Sequence, residues 1–310
     1  MAEPETIYVV GHKNPDTDSV CSAIAYARFK ALTGDPEHKA VRCGELNPET
    51  KFLLNYFKVP EPELIKSIEK KKVILVDHHE LGQVCDGVKD AVILEVIDHH
   101  RVSPFETASP ILFHTEPVGS TATIIADFFF YQKVTMPKEI AGILLGSILS
   151  DTVIFKSPTT TLKDKQIAQE LNKIVGISIE SFGIELKKAK SSIKGTPIKD
   201  IIMADFKEFS FSGTKVGIGQ IEVVEFSEAE ARKAEITAEL KKIMEKEGMK
   251  LACLMITNIM TEGTKLLFAG DKGIVEKAFN KQTADSEVYL ENVMSRKKQI
   301  VPEIQKVLTV

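Results

Sequence analysis

The sequence predicts an α/β fold. We expect an N-terminal, doubly wound and mainly parallel sheet flanked by helices, and a smaller C-terminal α/β domain with a mixed sheet. Apolar runs of strand length alternate with helical patterns in the first half of the chain, which is typical of βαβ units. The runs at residues 73–76 and 92–97 are almost continuously apolar, as in parallel strands buried on both faces. With 310 residues, 43% of them hydrophobic, the chain is long enough for two domains of ~100–200 residues each.

Local patterns define the elements of the N-terminal half. Asp18 or Ser19 is a natural N-cap for the first helix. Pro137 lies near the start of the last helix, where the fixed φ of proline is tolerated. The predicted strands are residues 6–10, 73–76, 92–97 and 111–113, and the predicted helices are residues 20–32, 121–131 and 138–150.

The C-terminal half follows a polar, basic segment at residues 186–197 that ends in Gly and Pro. We interpret this segment as a linker, and the end of a helix is the alternative. Ser227 and Glu230 predict a capping box for a long amphipathic helix that ends near Gly248. The expected divisions are a first domain at 1–186, a linker at 187–196 and a second domain at 197–310. The predicted strands of the second domain are residues 201–206, 216–224, 251–256 and 266–269.

Composition excludes several classes of function. The net charge of −4 offers no general basic surface, so we expect no nucleic-acid partner. No apolar run reaches the ~18 residues that a membrane span needs, so we expect no membrane. The four cysteines are scattered and form no Cys-x-x-Cys pair, which favours free buried thiols in a reducing compartment. We therefore expect a cytoplasmic protein.

The strongest functional signal is a set of acids and imidazoles that follow strand-like runs, at residues 12–18, 77–80 and 98–100. Five of the seven histidines fall in these three segments, and Asp151 closes a helical run. Mixed imidazole and carboxylate ligands suit divalent transition metals. Any one of these residues could be a helix cap or a solvated loop residue, but together they are too many for a single ion. We predict a binuclear site at the carboxyl ends of the strands, where doubly wound sheets bind ligands.

A two-metal site points to phosphoryl chemistry. Two ions ~3.5–4 Å apart can hold a bridging hydroxide and clamp a phosphoryl group. Asp77 and Asp151 are the candidates for bridging ligands, because each stands alone at the end of its own element. The remaining candidates are His12 and Asp16 for one ion, and Asp18 and His99 for the other.

A hydrolase of this kind also needs cations for its substrate. Arg296, in the basic segment 295–299, is one of only five arginines, and its planar fork suits phosphate oxygens. From charge alone, a solvated basic turn is favoured. Lys207 alternates with apolar residues and resembles the outward charge of a strand. The helix start at residues 119–123 could cradle an anion with its free N–H groups, or could be an ordinary Ser/Thr N-cap.

These segments resemble the DHH phosphoesterase superfamily and, within it, the family II, manganese-dependent inorganic pyrophosphatases. The similarity spans essentially the whole chain. The segments that carry it are residues 11–19, 77–78, 98–100 and 150–152 for the metals, residues 117–121, and residues 295–299 with 301–302 for the substrate.

The resemblance implies a homodimeric hydrolase that splits pyrophosphate into two phosphates, and we expect its active site in the cleft between the domains. It implies two Mn²⁺ or Co²⁺ ions per chain, with Mg²⁺ arriving on the substrate. By motif, one ion takes His12, Asp16, Asp77 and Asp151, and the other takes Asp18, Asp77, His99 and Asp151. The positions that match substrate contacts are His100, Lys207, Arg296 and Lys297.

His79 departs from the family pattern, which usually has Asn at this position. The extra imidazole could contact a metal or the nucleophilic water. Two other functions stay open: an exopolyphosphatase or nucleotide phosphoesterase on the same scaffold, and a catalytically silent scaffold protein. The segment 295–299 favours a pyrophosphatase over the first alternative, and the presence of every expected metal ligand disfavours the second.

Overall fold

The chain divides into two compact units, Met1–Lys190 and Ser191–Val310, of which a computed structural model describes residues 6–309. Among these described residues, no helix is both long enough and apolar enough to cross a bilayer. The elements of the first unit are β1 (Ile7–Val10), α1 (Thr17–Leu32), β2 (His38–Arg42), α2 (Pro48–Tyr56), β3 (Glu63–Leu64), β4 (Lys72–Val76), β5 (Val92–Asp98), β6 (Leu112–Thr115), α3 (Thr121–Tyr131), α4 (Lys138–Asp151), α5 (Leu162–Val175) and α6 (Ile179–Ser191).

A six-stranded parallel sheet forms the centre of the first unit, which confirms the predicted fold class. Its strand order is β3-β2-β1-β4-β5-β6, and every neighbouring pair is parallel. Strands β2 and β3 follow one another outward on one side of β1, and β5 and β6 follow one another outward on the far side of β4. The neighbours β1 and β4 therefore form a topological switch point, and such points bind ligands beyond the carboxyl ends of the strands.

The apolar run in β4 arises because the sheet is buried on both faces. Ile74 belongs to one hydrophobic cluster, which contains side chains of α1, α3 and α4. Val73 and Leu75 belong to another cluster on the opposite face, together with Val84. Since successive side chains of a strand point to opposite faces, both phases of the alternation must be apolar.

The first helix begins earlier than the sequence predicts, and its N-cap is a different residue. Helix α1 begins at Thr17, and the side chain of Asp16 accepts the backbone N–H of Ser19 at 2.9 Å. Asp18 and Ser19, the predicted caps, lie inside the first turn and are buried. The prediction of the N-cap is wrong because Asp18 binds groups from other parts of the unit, as described below.

The second unit contains a five-stranded mixed sheet, again as predicted. Its order is β11-β10-β9-β8-β7; β8 and β9 are parallel, and the other pairs are antiparallel. The elements are α7 (Ile198–Met203), β7 (Phe206–Phe211), β8 (Thr214–Val223), α8 (Ser227–Ala231), α9 (Lys233–Lys246), β9 (Leu251–Asn258), β10 (Gly263–Gly270), α10 (Lys272–Phe279), β11 (Glu287–Glu291), a π-helical turn (Arg296–Ile300) and α11 (Val301–Leu308).

Helix α7 covers the first half of the segment that was predicted as a strand at residues 201–206, and β7 begins only at its last residue. Ile198, Ile201 and Ile202 are spaced i, i+3 and i+4, and they contact the same hydrophobic cluster as the buried face of α9. This is the spacing of a helix face, so the short apolar run was given the wrong period. The segment 187–191, placed in the linker from the sequence, likewise belongs to a helix, α6.

The predicted capping box at residues 227–230 is also wrong. The Ser227 hydroxyl donates to Glu225 instead of capping a helix, and the predicted long helix is divided into α8 and α9 at Arg232. The guanidinium of Arg232 donates to the carbonyls of Ile193 and Thr196 at 2.8 Å. These tertiary contacts occupy the side chain at the point where the helix is interrupted.

Two of the four cysteines form a disulfide, so the expectation of four free thiols is wrong. Cys43 follows β2 and Cys85 lies in the loop after β4, with their Cα atoms 5.8 Å apart. Strands β2 and β4 both flank β1 in the sheet, and this places the two loops at the same edge. A separation of 42 residues hides this proximity in the sequence. Cys21 and Cys253 are free and buried, as predicted.

The disulfide is expected to stabilise the first unit by lowering the conformational entropy of the unfolded chain. Closing a loop of this length is worth about 3–4 kcal/mol in the chain-entropy treatment. The double variant Cys43→Ser/Cys85→Ser should lose about this much free energy of unfolding, measured by urea denaturation. Dithiothreitol should lower the wild type to the same stability and leave the double variant unchanged. Detection of four free thiols in the native protein would contradict the bond itself.

Candidate metal centre

The loop between β1 and α1 carries the first pair of candidate ligands. It folds tightly at Gly11, where a Cβ would lie only 1.9 Å from Oγ of Ser19. Nε2 of His12 lies 3.5 Å from Oδ1 of Asp16. Burial alone would raise the pKa of Asp16, but the hydrogen bond and charge of His12 hold it below its usual range. The four-residue spacing thus brings both side chains together beyond the end of β1.

Asp77 follows β4 directly and contacts two different imidazoles. Its Oδ2 lies 3.6 Å from Nε2 of His12, and its Oδ1 lies 3.4 Å from Nε2 of His99. The Thr121 hydroxyl donates to Oδ1 at 3.0 Å. The backbone of Asp77 is in the left-handed region, with φ of 64°, and residues held in this region tend to cluster at functional sites. One carboxylate therefore reaches side chains from the loops that follow β1 and β5.

His99 is oriented by a backbone carbonyl. Its Nδ1 lies 2.9 Å from the carbonyl oxygen of Val118, so Nδ1 must carry the proton and donate. The unprotonated Nε2 then points toward Asp77 and Asp151, the latter at 3.9 Å. A histidine that binds metal through one nitrogen commonly donates the other N–H to a carbonyl in this way.

Asp18 is buried at the N-terminus of α3. The backbone N–H of Thr121 donates to its Oδ2 at 2.6 Å, and that of Ala122 donates to its Oδ1 at 3.0 Å. Ser120 is thus the N-cap of this helix. The free N–H groups at residues 119–123 also bind an anion, as they can at any helix N-terminus, but that anion is the Asp18 carboxylate. Hydroxyl groups that also donate to Asp18 belong to Ser22, Ser120 and Ser147.

The acids of this cluster repel one another. Burial raises the pKa of the Asp77 and Asp151 carboxyls well above the usual range, and the negative charges of Asp18 and Asp16 raise it further. Buried charges of one sign need a partner of the opposite sign. A divalent cation would supply that charge, and oxygen and imidazole donors suit a transition metal. The residues present therefore fit a metal centre.

All six predicted metal ligands lie in two groups, each with its ligand atoms within 4.8 Å of one another. One group is His12, Asp16 and Asp77; the other is Asp18, Asp77, His99 and Asp151. Asp77 belongs to both groups. Among residues 6–309, Asp151 is grouped with the second set alone, so a bridging role for Asp151 stays a prediction.

His100 lies beside the same ligands. It forms a third group with Asp77 and His99, and its side chain is 49% exposed. Nδ1 of His100 donates to Oδ1 of Asp98 at 2.8 Å, which leaves its Nε2 as the available nitrogen. Sequence reasoning missed Asp98 as the residue that orients this imidazole, although its place in an Asp-His-His triplet was a signal.

His79 is held between Asp98 and a backbone N–H group. Its Nδ1 lies 2.5 Å from Oδ2 of Asp98, and its Nε2 accepts the N–H of Ser103 at 2.9 Å. Burial would raise the pKa of Asp98, but its hydrogen bonds to His100 and His79 hold it below its usual range. Both nitrogens of the His79 ring are used within the unit, which leaves neither for a metal.

Replacing His79 by Asn should therefore affect stability more than metal binding. The shorter amide cannot reach both Asp98 and Ser103, and an unsatisfied buried group costs about 1–3 kcal/mol. We expect a folded, active variant with a free energy of unfolding lower by that amount in urea. Ser103→Ala is the matched control, because it keeps the N–H bond to Nε2 at 2.9 Å and removes only the longer hydroxyl contact at 3.3 Å, so its loss of stability should be the smaller one. A loss of bound Mn²⁺ at unchanged stability would instead identify His79 as a ligand.

The predicted substrate cations lie in the second unit, where they line one cavity of about 440 Å³. Lys207, Arg296 and Lys297 contribute to its lining, together with Gln220 and Phe209. Lys207 is exposed on β7, and Lys297 is exposed in the π-helical turn. Lys207 is thus brought together with the adjacent Arg296 and Lys297, which lie far from it in the chain.

Arg296 is not part of a solvated basic turn, because it is only 7% exposed. Its Nη2 donates to Oδ1 of Asp205 at 2.7 Å, and its Nη1 donates to the carbonyls of Asp205 and Ile218 at 2.5 and 3.1 Å. The guanidinium is therefore fixed at the cavity wall. Asp205 was missed from the sequence, since nothing in its local pattern connects it to an arginine 91 residues away.

Comparison with known proteins identifies the family. Residues 6–148 match the N-terminal domain of the DHH family, and residues 184–307 match the DHHA2 domain. A manganese-dependent inorganic pyrophosphatase from Methanothrix thermoacetophila is 47% identical over 304 residues, which cover 97% of this chain and 98% of that protein. The chain belongs to the family II inorganic pyrophosphatases of the DHH superfamily.

Other members of this family give the same result. A manganese-dependent inorganic pyrophosphatase from Methanocaldococcus jannaschii is 48% identical over 308 residues, covering 96% of this chain and 98% of that one. A crystal structure from Methanococcus jannaschii, described as a candidate family II inorganic pyrophosphatase, aligns with a TM-score of 0.62 at 46% identity. That alignment covers 98% of this chain and 99% of the other. The family match over residues 6–148 includes β1, β4 and β5, which the candidate ligands follow.

Proposed function

We propose that this protein hydrolyses inorganic pyrophosphate to two phosphates in a metal-dependent reaction. The observation that carries the proposal is Asp77, which lies at the topological switch point of the sheet and belongs to both groups of ligand atoms. Membership of the pyrophosphatase family supports it independently. A site with one shared carboxylate and two sets of further ligands suits a pair of ions rather than one.

We assign two Mn²⁺ ions per chain to these residues, with Co²⁺ as a substitute and Mg²⁺ bound to the substrate. His12, Asp16 and Asp77 would hold one ion, with Asp151 completing its ligands, and Asp18, Asp77, His99 and Asp151 would hold the other. Bound metal would lower the pKa of water toward neutrality and offset charge on the phosphoryl group. Thr121 and Val118 orient the shared carboxylate and the His99 imidazole through hydrogen bonds.

The substrate would be held by His100, Lys207, Arg296 and Lys297. Cations fixed before the substrate arrives stabilise charge that develops in the transition state, with no cost of reorganisation. Arg296 meets that condition because its guanidinium is held by Asp205. His100 can present a single nitrogen to the substrate, because Asp98 binds the other.

We further propose that the first unit is the catalytic domain and the second the substrate-binding domain. With α6 ending at Ser191, residues 192–197 would form the linker rather than 187–196. We propose a cytoplasmic homodimer that binds no nucleic acid, which is what the resemblance and the net charge of −4 imply. Analytical ultracentrifugation and cell fractionation test these points. A Cys43–Cys85 bond that persists in cells would argue for an oxidising compartment.

The deciding assay is phosphate release from three substrates by the protein loaded with Mn²⁺ and supplied with Mg²⁺. We expect rapid hydrolysis of pyrophosphate and little turnover of polyphosphate or of a dinucleotide. Preference for polyphosphate or the dinucleotide would establish the generic phosphoesterase instead. No turnover of any of the three would indicate a silent scaffold.

Two neighbouring lysines offer a matched test of the substrate assignment. Lys297 lines the cavity of the second unit, whereas its exposed neighbour Lys298 is outside that lining. Lys297→Ala should lower kcat/KM for pyrophosphate by about 100-fold, the low end of the cost of removing one donor from an anion site. Lys298→Ala should retain wild-type kinetics. Equal effects of the two substitutions would contradict a specific contact and indicate a general effect of surface charge.

A further inference from the structure

A buried ion pair in the first unit has no part in the mechanism proposed above. Glu49, in the first turn of α2, is 1% exposed, and Lys187, near the end of α6, is 6% exposed. Nζ of Lys187 lies 3.0 Å from Oε1 of Glu49. Removing two charges from water costs several kcal/mol per ion, and such pairs are often no more stabilising than apolar residues would be. Stability alone is therefore a weak reason for this pair.

The second oxygen of Glu49 binds the sequence neighbours of the candidate metal ligands. Oε2 accepts the Thr17 hydroxyl at 3.1 Å and the Ser150 hydroxyl at 2.8 Å. Thr17 stands between two of the candidate ligands in the chain, and Ser150 directly precedes a third. Lys187 also lies 3.3 Å from the Ser150 hydroxyl. One carboxylate thus connects the start of α1 to the end of α4.

Electrostatics place Glu49 in the same negative region as the ligands. Burial raises the pKa of the Cys21 thiol, and the charges of Asp18, Asp16, Glu49 and Asp151 raise it further. Glu49 therefore adds a negative charge beside carboxylates that already repel one another. Lys187 offsets that charge, and it lies on α6, whereas the ligands that lie on helices belong to α1 and α4.

We propose that Glu49 and Lys187 are positioning residues for the metal centre. Glu49 fixes the start of α1 relative to the end of α4 through the Thr17 and Ser150 hydroxyls, and Lys187 holds Glu49 in place. The inference rests on the metal centre proposed above. Partners that orient metal ligands typically contribute 10–100-fold to metal affinity, and we expect an effect of this size here.

A change at Lys187 distinguishes positioning from a simple field effect. If the pair acted through its electric field alone, Lys187→Met would leave an additional net negative charge near the ligands and would tighten the binding of cations. If the pair positions the ligands, Lys187→Met releases Glu49 and weakens binding. The two roles therefore predict opposite changes in the Mn²⁺ affinity of Lys187→Met.

The experiment is a titration of the full-length, metal-free protein with Mn²⁺, followed by electron paramagnetic resonance. Glu49→Gln and Lys187→Met should each bind Mn²⁺ roughly 10–100-fold more weakly than the wild type. Ser150→Ala, which removes one hydroxyl, should weaken binding about tenfold. The double variant of Glu49 and Lys187 should lose less than the sum of the single losses, because the two side chains are in contact. Circular dichroism establishes that each variant is folded.

A second acid–lysine pair provides the matched control. Glu170 and Lys173 form an exposed pair on α5, so Glu170→Gln and Lys173→Met should leave Mn²⁺ affinity unchanged. Wild-type affinity in folded Glu49→Gln and Ser150→Ala would overturn the inference, as would tighter binding by Lys187→Met. If Lys187→Met does not fold, the other two variants still decide.

Asp77→Asn, titrated alongside, separates this inference from the function on which it rests. If Asp77→Asn loses Mn²⁺ while Glu49→Gln retains it, the positioning role fails and the metal centre stands. If Asp77→Asn also binds Mn²⁺ normally, the metal centre itself is refuted and the inference with it.

Discussion

Asp77→Asn is expected to remove both manganese ions and to lower kcat/KM for pyrophosphate by roughly 10³-fold or more, the scale seen when a group acting in the chemical step is removed. The two oxygens of Asp77 face imidazoles that belong to different groups of ligands. An amide has the same shape but no charge, so both groups lose the carboxylate that they share. Inductively coupled plasma mass spectrometry of the dialysed variant should show that its manganese content falls from about two ions per chain toward none.

The metal-free form of the same variant should be more stable than the metal-free wild type. Burial and the charges of Asp18 and Asp16 disfavour the ionised Asp77 carboxylate, so at neutral pH its replacement relieves repulsion. We therefore expect a higher Tm for metal-free Asp77→Asn. A lower Tm would show that Asp77 has a structural role as well.

Two aspartates serve as controls for this experiment. Asp151 is grouped with Asp18, Asp77 and His99 and would also complete the ligands of the other ion, so Asp151→Asn should lose the ion of its own group and bind the other more weakly. Asp127, a half-buried residue of α3 that pairs with Lys163 of α5, should tolerate Asn with both ions and full activity retained. Two tightly bound ions in Asp77→Asn would refute the shared site.

Arg296→Lys is expected to lower kcat/KM for pyrophosphate by roughly 100-fold or more. A lysine keeps the charge but lacks the planar fork that binds two oxygens at once, and the loss of one preorganised donor alone costs about 10²–10³ in rate. Lysine also cannot reproduce the bonds to Asp205 and Ile218. The free energy of unfolding should therefore fall as well, by about 1–3 kcal/mol.

Arg232→Lys separates the loss of stability from the loss of function. Arg232 also donates to two backbone carbonyls within the second unit, but the cavity that contains Arg296 does not include it. We expect a similar loss of stability with near-wild-type kinetics. For Arg296→Lys, a rise in KM at constant kcat would indicate uniform binding, whereas an equal fall in kcat and kcat/KM would indicate a contact made in the transition state. Wild-type kinetics for Arg296→Lys would refute its assignment.

The sequence by itself predicted the fold class, which the structure confirms, and the six candidate metal ligands, which the structure brings together. The apolar runs of β4 and β5 specify strands buried on both faces, and the acids and imidazoles follow β1, β4 and β5 directly. These signals are local. The hydrophobic pattern of a segment indicates whether its strand is buried, and a candidate ligand at the end of a strand is adjacent to that strand in the chain. Short or amphipathic elements gave weaker signals: β2, β3, β11, α2, α5, α6, α10 and α11 were not identified. The short apolar run of α7 was given the wrong period.

Only the tertiary structure decided how those residues are connected. Cys43 is bonded to Cys85, and backbone N–H groups of α3 donate to Asp18. Asp77 belongs to both groups of candidate ligands, whereas Asp151 belongs to one of these two. Each of these contacts joins residues that are far apart in the chain, 42 positions for the disulfide and 103 for Asp18 and Thr121. A helix start that could bind a phosphate and one that binds a buried carboxylate have the same sequence pattern. Which anion occupies it depends on strand order and helix packing, and these are set by the burial of the whole core rather than by any single segment.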